Sequence, residues 1–282
     1  MIFIESLMVT IRIVLIGFSI FFCLTAGLAH GDFHVRLKEV TEEIRMNQDS
    51  AFLFFKRGKL YFHHEEYPAA LEDLQHATVL GLEDTFCDLL YAKTYQQLDS
   101  LGQALIYIEK IERKNITNVV ALNTKAQIYF EQKKYQLSAL TLEEVISKSR
   151  RTIPENYLDA ARSWELSNAE ASKVNALNIL QQGISKLGPL FVFYIEIREL
   201  HLRSKNFEKA LSAQKKIIDL SNRKETALYK AAEICLLLDK TEAARKYLLL
   251  GLEAVTILPS RLKNNKVVIA LQQKMENTLL KL

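Results

Sequence analysis

Four adjacent residues, His63-His64-Glu65-Glu66, are the tightest grouping of potential ligands and proton carriers in the chain. A zinc centre or a general-base site needs such groups to converge on one point. Adjacent side chains in a helical turn splay apart, so the run reads as a solvated polar turn. His34, His76 and His201 stand alone and read as surface or packing residues. Cys23, Cys87 and Cys235 contain no Cys-x-x-Cys, which removes zinc-finger and dithiol redox chemistry. Cys87 and Cys235 sit in helical patterns and read as small buried apolar groups. Nucleotide-binding Gly-x-Gly-x-x-Gly, phosphate-loop, His-Glu-x-x-His and Gly-x-Ser-x-Gly motifs do not occur. The expectation is a chain that is not an enzyme and that needs no metal and no cofactor. Asn115-Ile116-Thr117 is a glycosylation sequon between two helical patterns, of consequence only in a eukaryote.

With so little chemistry, the elements themselves become the subject. The 282 residues are 49% hydrophobic and 25% charged, with only 9 Gly and 4 Pro. Few punctuators over this length point to long helices with short turns and away from an all-β fold. Residues 260–282 carry Arg261, Lys263, Lys266, Lys274 and Lys281 against Glu276, so the whole net charge of +4 resides there. That segment reads as a solvated outer face, with an anionic membrane or partner as the alternative. The dense cationic footprint with stacking aromatics expected of a nucleic-acid binder is missing.

Residues 13–29 (IVLIGFSIFFCLTAGLA) contain no charge, follow Arg12 and end in small residues. A basic flank, an apolar stretch and a small-residue exit make an export signal, with cleavage expected after Ala29. Glu5 fits this poorly, and a start at Met8 fits better. An uncleaved anchor is the rival reading. Lipidation at Cys23 is disfavoured, because Ile20-Phe21-Phe22 precedes it where small residues are needed. Export puts the remaining chain in the periplasm or outside the cell, and membrane contact is expected only through this N-terminal segment.

The rest of the chain repeats every 34 residues. Six columns stay in register over three repeats: Gly58, Ala92, Ala126; Tyr61, Tyr95, Tyr129; Tyr67, Leu101, Tyr135; Ala70, Ala104, Ser138; Leu74, Ile108, Leu142; and Ala77, Ile111, Val145. From Ser138 to Ala176 the step is 38 residues, and Ala176, Ala210 and Ala244 then return to 34. The four extra residues fall either in Lys148–Thr152 or near Ser167–Ala171. Small columns mark close helix approach, and large ones fill the wedge between helices. Asp49-Ser50 and Asp84-Thr85 offer N-caps. Glu65-Glu66 makes the turn within a repeat, and Gly81-Leu82 offers a Schellman-type stop. The layout is a signal over 1–29, a flanking helix within 30–50, and repeats over 51–256. These run approximately as 51–84, 85–118, 119–152, 153–190, 191–224 and 225–258, followed by a basic capping helix in 259–282, placed at about Lys263–Leu282. Cys87 and Cys235 lie too many repeats apart to pair, since each repeat touches only its neighbours.

These columns resemble the tetratricopeptide repeat (TPR) family, most closely in Phe55–Ala77 and again in Lys205–Leu211. Repeat five departs from the pattern, with His201 at the aromatic position and Gln214 at the bulky one. The regular, exported style is similar to bacterial members. The resemblance implies an all-α, right-handed α-α superhelix (solenoid) of about six helix pairs with flanking N- and C-terminal helices, acting as a protein-binding scaffold. It further implies that the first helix of each pair lines the concave side. Carried over, the lining is Phe55, Lys59 and Phe62, then Leu89, Lys93 and Gln96, then Asn123, Gln127 and Phe130. Lys59 and Lys93 are expected to stack and meet a carboxylate of a protein or peptide ligand. Phe55 and Phe62 either floor the groove or pack inside the repeats, which periodicity does not separate. Lys56, Leu90 and Thr124 stand where family members that clamp a C-terminal carboxylate carry asparagines or a basic residue, so that role is not expected.

Overall fold

The computed structural model describes residues 33–114 and 118–282; the run 13–29 read as an export signal and the Asn115 sequon lie outside the described residues. Among the described residues every regular element is a helix, and none is long and apolar enough to cross a membrane. Helix α1 spans 33–46. Six pairs follow: α2 Ala51–His63 with α3 Tyr67–Val79, α4 Thr85–Gln97 with α5 Leu101–Arg113, and α6 Val119–Glu131 with α7 Tyr135–Lys148. Then come α8 Pro154–Leu166 with α9 Ser172–Leu187, α10 Phe191–Arg203 with α11 Phe207–Leu220, and α12 Glu225–Leu237 with α13 Thr241–Thr256. Short α14, Ser260–Lys263, precedes α15, Lys266–Leu279. The chain divides into two compact units, one ending at Thr124 and the other running Lys125–Leu282.

Burial follows the sequence columns. Ala92, Ala126, Ala70, Ala104, Ser138, Leu74, Ile108, Leu142, Ala77, Ile111 and Val145 are all buried. Within α2, Gly58 permits the tight crossing with α3. A Cβ there would lie 3.2 Å from the Ala70 carbonyl oxygen and 3.2 Å from Asp73 Cβ. Beside that crossing, Arg57 donates from Nε and Nη2 to the two carboxylate oxygens of buried Asp73, both at 2.7 Å. Repeat five uses other chemistry at the equivalent crossing. Arg198 takes the small position and Gln214 the bulky one. Arg198 Nη1 donates to Gln214 Oε1 at 2.7 Å, while Gln214 Nε2 donates to the Ala227 carbonyl at 2.6 Å. The apparent defect in the pattern is therefore a satisfied polar pair, which is what burial of such groups demands.

The turns inside the pairs repeat as strictly as the core. Glu65, Asp99, Lys133, Lys205 and Asp239 all adopt positive φ. The residue after each donates its backbone N–H back across the turn, as Glu66 does to Tyr61, Ser100 to Tyr95 and Lys134 to Tyr129. Five of the six first helices, all but α8, thus end in a Schellman-type stop with a non-glycine residue in the left-handed region. That conformation costs an L-residue about 1–2 kcal/mol. Glu65→Gly is accordingly expected to stabilise the first unit by about 1 kcal/mol, read as a raised urea midpoint. Glu66→Gly, at ordinary φ, should give no such gain. Gly81 shows the related stop after α3, with φ of 91° and the Leu82 N–H donating to Ala77 at 2.9 Å.

In the first unit, Leu74, Cys87, Leu90 and Tyr91 form the core, with Phe55, Phe62, Tyr95 and Tyr107 packed on it. The Tyr91 and Tyr107 rings stack at 4.3 Å. Burial pushes the Cys87 thiol up to about 11, and both Cys87 and Cys235 are free and buried. Helix α1 seals the start of this unit through Phe33, Val40 and Ile44. Phe33 stacks on His64 at 3.6 Å, so one histidine of the polar turn anchors α1. The other, His63, is exposed.

In the second unit the four-residue slip divides among three places. Helix α7 is one residue longer than α5. The turn 167–171 has two more residues than its counterparts, and α9 starts one residue earlier relative to its small alanine, Ala176. Trp164 then continues the aromatic column and is buried. His201 occupies the same column in α10; burial first, and Lys209 second, lower its pKa below 6.5. The folded state therefore holds fewer protons on His201 than the unfolded chain, so stability falls as pH drops through about 6.5. His201→Phe should remove that part of the pH dependence, measured as urea midpoints at pH 7.5 and 5.5. The final helix starts later than its pattern predicts. Asn264 and Asn265 break it, and Asn265 caps α15 by accepting from Val267 N–H at 2.9 Å.

Candidate partner-binding surface

An eleven-residue stretch of α2 presents Phe52, Phe55, Lys59 and Phe62 at steps of three and four, which is one helix face. Helix α4 repeats it with Phe86, Leu89, Lys93 and Gln96, and α6 begins it with Val120 and Asn123. The first member of each set escaped the sequence reading. Phe52 is 64% exposed, Phe86 69% and Val120 48%. The signal was available: the three residues are apolar, recur at 34, and stand three before residues already singled out. Large apolar side chains left in water at equivalent places are informative where single exposed ones are not.

Behind this exposed row, Phe55 and Phe62 are half-buried against the core of the first unit. The Phe52 and Phe55 rings lie 6.5 Å apart, and Phe62 meets Tyr67 edge-on at 5.7 Å. Leu89, Lys93, Gln96 and Asn123 are half-buried, and Lys59 is exposed. The two readings of the phenylalanines therefore merge, since one face packs inward and the other stays accessible.

Charge distinguishes the two lysines. Lys56 pairs with Glu43 at 2.9 Å, Arg57 with Asp73, and Lys110 and Lys114 with buried Asp88 at 2.8 and 2.9 Å. Lys59 and Lys93 form no ion pair among the described residues. The face is thus an apolar row beside two uncompensated cations. Lys56 is occupied by Glu43, and Leu90 and Thr124 are buried, so those three cannot form a carboxylate clamp. In the second unit, Gln127 is exposed. Phe130 is half-buried, with Tyr135 edge-on at 5.2 Å and the Arg162 guanidinium over its ring at 5.8 Å. Among the described residues no group of three or more His, Cys, Asp or Glu side chains is placed to hold a metal ion.

No family model matches the sequence, and no curated protein does. Solved structures are more telling. The C-terminal part of a TPR repeat-containing protein from Cytophaga hutchinsonii superposes with a TM-score of 0.67 at 11% identity, covering 85% of this chain and 94% of that one. The chain has the TPR fold. A tetratricopeptide repeat protein from Parabacteroides merdae is also similar, with a TM-score of 0.53 at 15% identity over 89% of this chain and 94% of that one. Identities this low carry the TPR architecture alone; the chemistry of the face rests on this chain's own side chains.

Proposed function

We propose that the protein is an exported scaffold or adaptor whose first unit holds a segment of a protein partner along the exposed face of α2, α4 and the start of α6. The observation that supports this reading is the exposed row Phe52, Phe86 and Val120 beside unpaired Lys59 and Lys93. Such a face suits a segment with spaced apolar side chains and a carboxylate. The aromatics supply most of the contact energy, and the lysines set approach and register. Export rests on the uncharged run 13–29. The alternative is a membrane-tethered assembly factor, held by that run uncleaved; N-terminal sequencing of the exported protein separates the two, with a start at His30 excluding the tether.

Photo-crosslinking in the native host tests the binding face. A crosslinker at position 86 should give one discrete adduct, and Lys59→Glu with Lys93→Glu should abolish it. A crosslinker at position 79, exposed on α3, should not give that adduct. Equal adducts from both positions, or an adduct indifferent to the lysine changes, would sink the proposal.

A further inference from the structure

Helix α15 packs on α13 and buries Val268 and Met275 there. The side opposite that pair carries Lys266, Val267, Ala270, Lys274, Leu280 and Lys281, all of them exposed. At about 100° per residue these six share an arc of about 140°. No acid and no aromatic falls within it; the residues between them, Gln273 and Asn277, are uncharged. Glu276 lies outside the arc and accepts from Gln272 Nε2 at 2.8 Å. Lys266, Lys274 and Lys281 form no ion pair among the described residues. Arg261, exposed on α14, adds a further unpaired cation just ahead of the helix.

Two features decide what such a face can meet. The three lysines are spread over a rise of about 22 Å. A single carboxylate or phosphate reaches one of them, whereas a layer of anions reaches all three at once. The apolar members also stand in water, Val267 at 75% exposure and Leu280 at 85%. They lie near opposite ends of the helix and enclose nothing, so a narrow ligand would leave one or both wet. A bilayer surface covers both. Its head-group region admits the apolar side chains, while the lysine stems lie along the boundary and keep their ammonium groups at the phosphates. Nucleic acid offers the anions but leaves the apolar members uncovered.

We propose that the outer face of α15 is a contact for an anionic lipid surface. Lys266, Lys274 and Lys281 meet head-group phosphates, and Val267 and Leu280 enter the interface. Each cation near such a surface adds to the attraction, and salt screens it. The contact is separate from the run 13–29 and from the α2–α4–α6 face, and it stands or falls without them.

Vesicle co-sedimentation of the full chain tests it, using phosphatidylcholine vesicles with and without phosphatidylglycerol. The readout is the excess bound with phosphatidylglycerol, because the uncharged run 13–29 does not distinguish the two lipids. That excess should vanish at high salt, and it should fall about tenfold or more in Lys266→Glu with Lys274→Glu and Lys281→Glu. Lys173→Glu with Lys186→Glu and Lys216→Glu makes the same charge change at exposed sites on α9 and α11. It should alter the excess less than about twofold. All six lysines are exposed, so helicity by circular dichroism should be unchanged in both variants. Brominated lipid should quench the tryptophan of Val267→Trp and spare that of Val79→Trp, exposed on α3; buried Trp164 is a background common to both. Equal loss in the two triple variants overturns the proposal, because charge without place would then suffice. An unquenched Val267→Trp overturns it too, as does an excess indifferent to the α15 changes. Binding of a polyglutamate peptide through Lys266 and Lys274, with no vesicle excess, overturns it in favour of an acidic protein.

Discussion

Phe193→Ala is expected to destabilise the second unit by about 3–5 kcal/mol, read from urea unfolding, since it removes a fully buried aromatic ring. The ring has a specific seat. Phe193 on α10 fills the space left by Gly183 on α9, where a Cβ would lie 2.8 Å from Phe193 Cζ and 3.1 Å from Tyr157 Cγ. Tyr157 meets the same ring edge-on at 6.1 Å. Gly183 therefore sits mid-helix not for flexibility but to admit the next repeat. This gives a second expectation of opposite sign in two backgrounds. In the wild-type chain, Gly183→Ala forces the ring aside and costs about 1–3 kcal/mol. In the F193A background the methyl enters vacated space, and the better helix former should stabilise by about 0.5–1 kcal/mol. A Gly183→Ala effect with the same sign in both backgrounds would show that the two residues do not share this seat.

Arg57→Met should cost the first unit about 3–5 kcal/mol, because it strands a buried carboxylate. Asp73 is only 3% exposed, and both its oxygens accept from Arg57. Desolvation, not the lost attraction, makes the single change severe. The paired change Arg57→Met with Asp73→Leu should recover most of the loss, since an apolar pair of similar size needs no compensation at the crossing. Urea midpoints of the three variants provide the check. If Arg57→Met alone proves nearly silent, Asp73 must find another donor or water. Nothing comparable is expected of Lys56, whose pair with Glu43 is exposed.

How far these features could be read from the chain depends on whether they are local. The 34-residue columns are local, and so are the turns and the Gly81 stop; all of them were legible. The Arg57–Asp73 and Arg198–Gln214 pairs were not. Sixteen residues of separation mean nothing until two antiparallel helices meet at a small residue. In repeat five the sequence showed only a departure, because each partner looks wrong without the other. The exposed row Phe52, Phe86 and Val120 was hidden for a different reason. Apolar periodicity identifies a face but not what covers it, so residues in water and residues in the core share one signature. The slip resisted placement because it is split: one residue in α7, two in a turn and one at the start of α9 each leave the helical pattern intact.

The seat at Gly183 has a counterpart at Gly251, where a Cβ would lie 2.6 Å from Met275 Sδ. Here the incoming side chain comes from α15, the last helix among the described residues. A repeat ending in an open seat is a template: the first helix of another molecule could add there, and the addition would leave a fresh seat behind it. Head-to-tail contacts of that kind do not close on themselves and run on into filaments. Met275 occupies the seat from within the same chain, so at the end of α13 that template is already covered.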